Sequence, residues 1–133
     1  MNVPRWISPL FVVAALYDGL LGLVFLAAPG MPFRLSDVAP PNHPGYVQFP
    51  AALLLIFGLM LASVARDPIL NRSLILYGIL LKVAYCSVAG WYWISSGIPG
   101  MWKPFVVADI AMGLLFTWAY VAIPAPAGKV RTS

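Results

Sequence analysis

Four long apolar stretches dominate the chain and leave little room for any other architecture. They cover residues 8–28, 47–65, 69–94 and 104–123. A helix needs about 20 apolar residues to cross the hydrocarbon core of a bilayer, and each stretch reaches roughly that length. The chain is 62% hydrophobic and only 9% charged, whereas soluble domains are about 25% charged. The sequence therefore predicts an all-α membrane protein, built as a four-transmembrane-helix up-down bundle.

Proline and glycine mark the ends of the stretches, and Pro29 with Gly30 ends the first one. This first stretch is too long for the apolar region of a signal peptide, and Asp18 interrupts it. We therefore expect a retained helix rather than a cleaved leader. We expect residues 1–124 to form a single four-span domain and residues 125–133 to form a polar cytoplasmic tail.

The distribution of basic residues predicts the orientation of the bundle. Five basic residues flank the end that holds both termini: Arg5, Arg66, Arg72, Lys129 and Arg131. Two flank the other end, Arg34 and Lys103. Because Lys and Arg in short flanks favour the cytoplasmic side, both termini are predicted to be cytoplasmic. The Pro-rich linker between the first two spans would then lie outside and cap the mouth of the bundle.

Three ionisable residues interrupt the apolar stretches near their middles: Asp18, Lys82 and Asp109. Each costs roughly 2.5 to 3.5 kcal/mol at a helix centre, so such residues face the bundle interior or a water-filled cavity. Small residues recur four positions from each of them, on the same helix face. We therefore predict a buried Asp18–Lys82–Asp109 network. The network has two carboxylates and one ammonium, so one negative charge remains. Protonation of one Asp, a water molecule or a bound cation would balance that charge.

Helical spacing adds two further groups of residues. Hydroxyl and thiol groups near the network in sequence are possible neighbours: Tyr17, Tyr77, Tyr85 and Cys86. Small residues on the inner faces are predicted to bring helices close together, as they do in membrane bundles: Gly22, Gly58, Gly78, Gly90 and Gly113.

Residue counts and missing motifs exclude several classes of function. A single Cys rules out an intramolecular disulfide, and a single His rules out two-histidine haem ligation within one chain. The chain carries neither a glycine-rich phosphate loop nor a basic stripe suited to nucleic acid. The sequence thus predicts no catalytic residue, no metal site, no cofactor and no nucleic-acid partner. His43 lies in a loop, and two roles remain open for it. It forms a hydrogen bond within a turn, or it is a metal or haem ligand shared between subunits.

The first span and the segment after it carry a resemblance to a known family. The span contains Gly19-Leu-Leu-Gly22-Leu-Val-Phe25, and a Pro-x-x-Pro-Phe segment follows from Pro29 to Phe33. With four spans in this length, the chain resembles the small four-helix bacterial inner-membrane proteins grouped as DoxX-like, or a related uncharacterised family. The resemblance implies an accessory subunit of a membrane oxidoreductase or assembly complex, located in a bacterial inner (cytoplasmic) membrane.

Three functions remain open on these grounds. The first, which the lack of a nucleophile or cofactor constellation favours, is a non-enzymatic accessory or interaction subunit of a larger membrane complex. The second is a proton-coupled small-molecule carrier or channel, built as a homodimer, in which the trio titrates. The third is a membrane enzyme that uses the trio as acid and base on a lipophilic substrate. The expected partners are the lipid bilayer and either another membrane protein or further copies of the chain, whereas any small-molecule ligand is unknown.

Each of the three functions makes a different structural demand. A carrier needs a wet path from the trio to each side, and an enzyme needs a lateral slot that opens to lipid. An accessory subunit needs an apolar outer face with small residues.

Overall fold

The computed structural model describes residues 2–127. Within that range the chain forms five α-helices, and a 3-10 turn at Gly100–Trp102 precedes the last. Their bounds are α1 (Ile7–Ala27), α2 (Met31–Leu35), α3 (Gly45–Arg66), α4 (Leu74–Ser95) and α5 (Lys103–Ala122). All but α2 are long and apolar enough to cross a membrane. The predicted fold class is therefore confirmed for the described residues, while residues 128–133 of the predicted tail lie outside them.

The turn between α3 and α4 is longer than hydropathy predicted, because α4 begins at Leu74 rather than at residue 69. Asp67 Oδ1 accepts a hydrogen bond from the Leu70 N–H at 3.0 Å, and Asn71 Nδ2 donates one to the Asp67 carbonyl at 3.1 Å. Polar side chains thus satisfy backbone groups outside a helix, which favours a turn over continued helix.

Helices α1 and α3 form the first hairpin, and glycines allow their close approach. A Cβ added at Gly22 would lie 2.7 Å from the Ala51 carbonyl oxygen, and one added at Gly58 would lie 2.9 Å from the Cα of Gly19. Small residues let helix backbones approach closely in a membrane. These two predicted packing positions therefore hold the first hairpin together.

Helices α4 and α5 form the second hairpin. A Cβ added at Gly113 would lie 3.4 Å from the Cβ of Lys82, and one added at Gly78 would lie 3.4 Å from the Phe116 ring. Gly90 behaves differently from the packing position that we predicted, since an added Cβ there would meet nothing within 4 Å. Steps of four residues drift about 40° each around a helix, so Gly90 has turned about 80° away from the face of Lys82.

The half of the bundle near the termini, which we call the termini end, is densely packed. Phe11 of α1 stacks on Phe116 of α5 with ring centroids 4.9 Å apart, and both side chains are fully buried. The same core cluster includes Ile7, Ala14, Leu61, Val64, Ile75, Ala119 and Ile123. This packing fills the space between the middle of the bundle and its termini. We call the opposite end, with α2 and the Pro-rich segment, the linker end.

Arg72 ties the turn before α4 to the last turn of α5. Its Nε donates hydrogen bonds to the carbonyls of Tyr120 at 3.1 Å and Ile123 at 3.0 Å. Its guanidinium carbon lies 3.8 Å from the centre of the Tyr120 ring. A cation at a helix C-terminus satisfies free carbonyls and interacts favourably with the helix dipole. Arg72 therefore closes the termini end of the second hairpin.

Replacing Arg72 with Met should lower the free energy of unfolding by about 1.5–3 kcal/mol, because hydrogen bonds to a charged group are lost while the apolar stem is kept. Thermal unfolding in lipid nanodiscs measures the change. Arg66→Met is the matched control, since Arg66 is exposed at the end of α3. Equal melting temperatures for both variants would contradict the capping role of Arg72.

Candidate functional site

The three ionisable residues meet in the middle of the bundle, as the sequence predicted. Lys82 Nζ donates hydrogen bonds to Asp18 Oδ1 at 2.8 Å and to Asp109 Oδ1 at 3.1 Å. The exposed fractions are 1% for Asp18, 2% for Lys82 and 8% for Asp109. A buried Asp/Lys/Asp network is therefore present, and charge-assisted hydrogen bonds hold it together.

The network joins the two hairpins. Asp18 comes from α1 of the first hairpin, whereas Lys82 and Asp109 both come from the second. Gly113 leaves room for the stem of Lys82, whose ammonium then reaches the carboxylate across the bundle. With all three groups ionised, the site carries one excess negative charge. The excess negative charge therefore lies where the two hairpins meet.

Three of the four predicted neighbours of the network make contacts inside the bundle. The centre of the Tyr17 ring lies 5.4 Å from Lys82 Nζ, within the range of a cation–π contact. Tyr85 Oη donates a hydrogen bond to the Trp102 carbonyl at 3.4 Å. Cys86 Sγ lies 3.7 Å from the carbonyl oxygen of Val106 in α5, within hydrogen-bonding reach for a thiol.

Tyr77 is the exception among these neighbours, because its side chain is 57% exposed on the outside of the bundle. It precedes Lys82 by five residues, which places it about 140° around the helix from the network. The structure therefore does not bring Tyr77 to the site.

An apolar cavity of about 710 Å³ lies between the hairpins on the linker side of the network. Asp18 and Asp109 line it at one end, and apolar and aromatic side chains line most of the rest. Cavities that hold small molecules usually measure about 300–1,000 Å³ and combine an apolar wall with a few placed polar groups. This cavity fits that description in both size and lining.

Aromatic residues line the linker end of the cavity. Phe33 of α2 is only 4% exposed and lies edge-on to Trp102, with ring centroids 5.9 Å apart. Phe25 stacks on Trp102 at 6.0 Å. The Pro-rich segment after α2 completes this side through Pro40 and Pro41. The linker thus caps the cavity, with α2 supplying its buried anchor.

The cavity also reaches the side of the bundle, between α3 and α4. Leu53 of α3 and Leu81 of α4 both line it, and Leu53 is 40% exposed. Toward the termini end the two helices meet, where an added Cβ at Gly78 would lie 3.3 Å from Leu61. We call the part of the cavity between Leu53 of α3 and Leu81 of α4 the slot.

Two residues that line this cavity each carry a buried oxygen without a protein partner. Within residues 2–127, the buried side-chain nitrogens and oxygens that lack a hydrogen-bond partner are Tyr17 Oη and Asp18 Oδ2. Both residues line the cavity. Buried polar groups in proteins nearly always have partners, so each exception calls for an explanation. A ligand with hydrogen-bond donors would supply the missing partners.

His43 takes part in a local turn at the linker end. Its Nδ1 accepts a hydrogen bond from the Gly45 N–H at 2.9 Å, and its ring lies edge-on to Tyr46 at 6.1 Å. A side-chain acceptor for a free backbone N–H stabilises the start of a helix, here that of α3. This observed contact agrees with the turn-forming alternative left open by the sequence.

Comparison with known proteins adds no further residue to this site. No protein-family model, no curated protein and no solved structure shows significant similarity to the chain. The chemistry available at the site is that of its own groups: an apolar chamber, two carboxylates and one ammonium at its end, and two buried oxygens without a protein partner.

Proposed function

We propose that this chain is a membrane-embedded binding protein for a lipophilic small molecule. The molecule enters from the lipid through the slot between α3 and α4. Its polar group rests against the ion network, and its apolar part fills the cavity. The observation that carries this proposal is the placement of Asp18 and Asp109 at one end of an apolar cavity of about 710 Å³.

The geometry also ranks the functions that the sequence left open. A carrier needs a path from the network to both ends of the bundle, but buried side chains such as Phe11 and Phe116 fill the termini end. That packed half would have to open for transport. An enzyme on a lipophilic substrate needs lateral access from the bilayer, and the partial exposure of Leu53 beside the slot supports such access. Binding from the lipid is the step that such an enzyme shares with a simple binding protein.

Leu53→Trp should reduce occupancy of the cavity at least tenfold, because a larger side chain at the slot narrows the entrance. Occupancy is measured by photolabelling with a pair of 12-carbon diazirine probes, an amine and an alcohol, followed by mass spectrometry of labelled peptides. In the native protein we expect adducts of at least one probe on cavity residues such as Leu81 and Trp102.

The matched control is Leu59→Trp, which changes a 65% exposed Leu on the same helix, outside the cavity lining. It should leave the labelling of the cavity unchanged. If neither probe labels cavity residues above lipid-exposed residues in the native protein, the proposed binding function is wrong.

A second function, as an accessory subunit or homo-oligomer, has support from the outer face of α4. Ala84 and Ser87 are exposed there, and Gly90 has open space beside it. Small residues on a lipid-facing surface allow another helix to approach closely. Oxidative crosslinking of Ser87→Cys in a Cys86→Ala background tests this face in native membranes. The absence of any crosslinked homodimer or larger adduct would remove its support.

We further propose that the bundle lies in a bacterial inner membrane, as the DoxX-like proteins that it resembles do, and that both termini are in the cytoplasm. The basic residues that flank the termini end support this orientation, since Lys and Arg favour the cytoplasmic side. Labelling with an impermeant maleimide in spheroplasts tests it. Ser36→Cys should react from outside and Asn2→Cys should not, and the reverse pattern would invert the topology.

A further inference from the structure

We infer that the polar group of the bound molecule is a protonated primary amine, which docks on Asp18 Oδ2. This inference rests on the proposed function, since it names the headgroup of the ligand in the same cavity. Three independent features of the site support it: its charge, its two available oxygens and its aromatic walls.

A bound cation is one way to balance the second carboxylate of the ionised trio, and a ligand ammonium would supply it. Lys82 supplies one positive charge against the two carboxylates of Asp18 and Asp109. Among the described residues, the lining of the cavity includes no Lys, Arg or His. A buried charge that lacks compensation is strongly unfavourable. A ligand ammonium beside the trio would give two positive and two negative charges, and the site would become neutral.

The available oxygens call for a donor with more than one hydrogen. Asp18 already uses Oδ1 to accept from Lys82, so its buried Oδ2 is the oxygen left for a ligand. Tyr17, which also lines the cavity, carries the second buried oxygen without a protein partner. A primary ammonium carries three N–H donors and can bond to both oxygens at once. An alcohol brings one O–H donor and leaves the excess charge in place.

The walls near the carboxylates suit an organic cation with an apolar tail. Tyr17, Tyr85 and Phe105 line the cavity beside Asp18 and Asp109. Aromatic faces attract an ammonium group, and the attraction grows when the site is shielded from water. Beyond them the lining is aliphatic and aromatic as far as the linker cap, which leaves room for an alkyl or aryl tail but not for a second charge.

The test is a matched series of 12-carbon probes with isotope labels: dodecylamine, dodecanol and dodecyltrimethylammonium. Binding is measured by equilibrium dialysis against the protein in phosphatidylcholine nanodiscs at pH 7, with empty nanodiscs subtracted. Dodecylamine should bind at least tenfold more tightly than dodecanol, because it adds the missing charge. Dodecyltrimethylammonium should bind more weakly than dodecylamine, because its nitrogen has no N–H to donate.

The native protein alone decides the inference. If dodecanol binds as tightly as dodecylamine or more tightly, the headgroup is not an ammonium, although the binding function stands. If dodecyltrimethylammonium binds as well as dodecylamine, donation to Asp18 Oδ2 is wrong. If no probe binds above empty nanodiscs, this inference and the binding function that it rests on are both wrong.

Two Asp→Asn variants locate the amine. Asp18→Asn leaves one ammonium and one carboxylate, so the trio is already neutral, and the tenfold preference for dodecylamine should fall to about one. Asp37→Asn makes the same change in net charge at an exposed position at the linker end. Asn also tolerates the φ of 54° that Asp37 adopts. This control should keep the native preference, and a loss of preference in Asp37→Asn but not in Asp18→Asn would place the ammonium at the bundle surface.

Discussion

Lys82→Met should lower the free energy of unfolding by roughly 3–5 kcal/mol, the range for a buried ion pair that loses one partner. The substitution keeps most of the side-chain volume beside Gly113 but removes the ammonium that two carboxylates share. Asp18 and Asp109 would then sit in the bundle without a counter-charge. Chemical denaturation in lipid nanodiscs, followed by tryptophan fluorescence, measures the loss.

A triple variant, Asp18→Asn with Lys82→Met and Asp109→Asn, separates the charge from the packing. It removes all three charges and keeps similar shapes, so part of the lost stability should return, because two buried amides cost less than two carboxylates without a counter-charge. If Lys82→Met alone were as stable as the native protein, the network would not hold the bundle together. If the triple variant were no more stable than Lys82→Met, the loss would come from packing rather than from charge.

Gly22→Ala should destabilise the bundle by about 3 kcal/mol, at the upper end of the range for overpacking. The added Cβ would lie 2.7 Å from the Ala51 carbonyl oxygen and 2.8 Å from the Leu55 nitrogen. Both are backbone atoms, which cannot turn aside as a flexible side chain would. Helices α1 and α3 would therefore have to separate, and the first hairpin would lose its close contact.

Gly19→Ala is the matched control on the same helix. An added Cβ at Gly19 would meet nothing within 4 Å, and replacing Gly by Ala in a helix interior contributes about 0.5–1 kcal/mol of stability. The two variants should therefore shift the melting temperature in opposite directions. Similar shifts in both would show that helix propensity, rather than the close approach of α1 and α3, decides the outcome.

The sequence predicted the network because two strong constraints act on the same residues. Charge at the middle of an apolar stretch must face inward, and small residues four positions away show which helix face that is. Depth then follows from counting along each span, so Asp18, Lys82 and Asp109 could be brought together without any coordinates. The same reasoning predicted the close helix contacts at Gly22 and Gly58, where an added Cβ would meet backbone.

The rule that residues four positions apart share a helix face was less reliable farther from the network, because each step of four residues rotates slightly around the helix. Gly90 lies two steps from Lys82 and already faces open space. Tyr77 lies near Lys82 in sequence but on the outside of the bundle. The late start of α4 depended on side-chain hydrogen bonds of Asp67 and Asn71, which hydropathy does not register.

The cavity could not be predicted, because it arises from the separation between helices rather than from any residue type. Its lining includes residues such as Leu53, Leu81 and Trp102, whose residue types are equally common on lipid-facing or interfacial surfaces. One signal was available: Pro50 lies inside α3 and also lines the cavity. A proline within a helix removes a backbone hydrogen bond and disturbs local regularity. Pro50 therefore indicates an irregular stretch of that span, but it does not indicate the cavity beside it.

The split of the network between hairpins has a consequence for how the chain is made. Asp18 precedes its partner Lys82 by 64 residues, which corresponds to roughly 3–13 s of synthesis at about 5–20 residues per second. During that interval the first two spans are complete, yet their acidic group has no counter-ion. Lys82, in contrast, is followed by Asp109 after only 27 residues. Burying the first hairpin in lipid is therefore most costly before the second emerges, because the carboxylate of Asp18 then has no counter-ion. Pairing with Lys82 lowers that cost late in synthesis, once the second hairpin has been made.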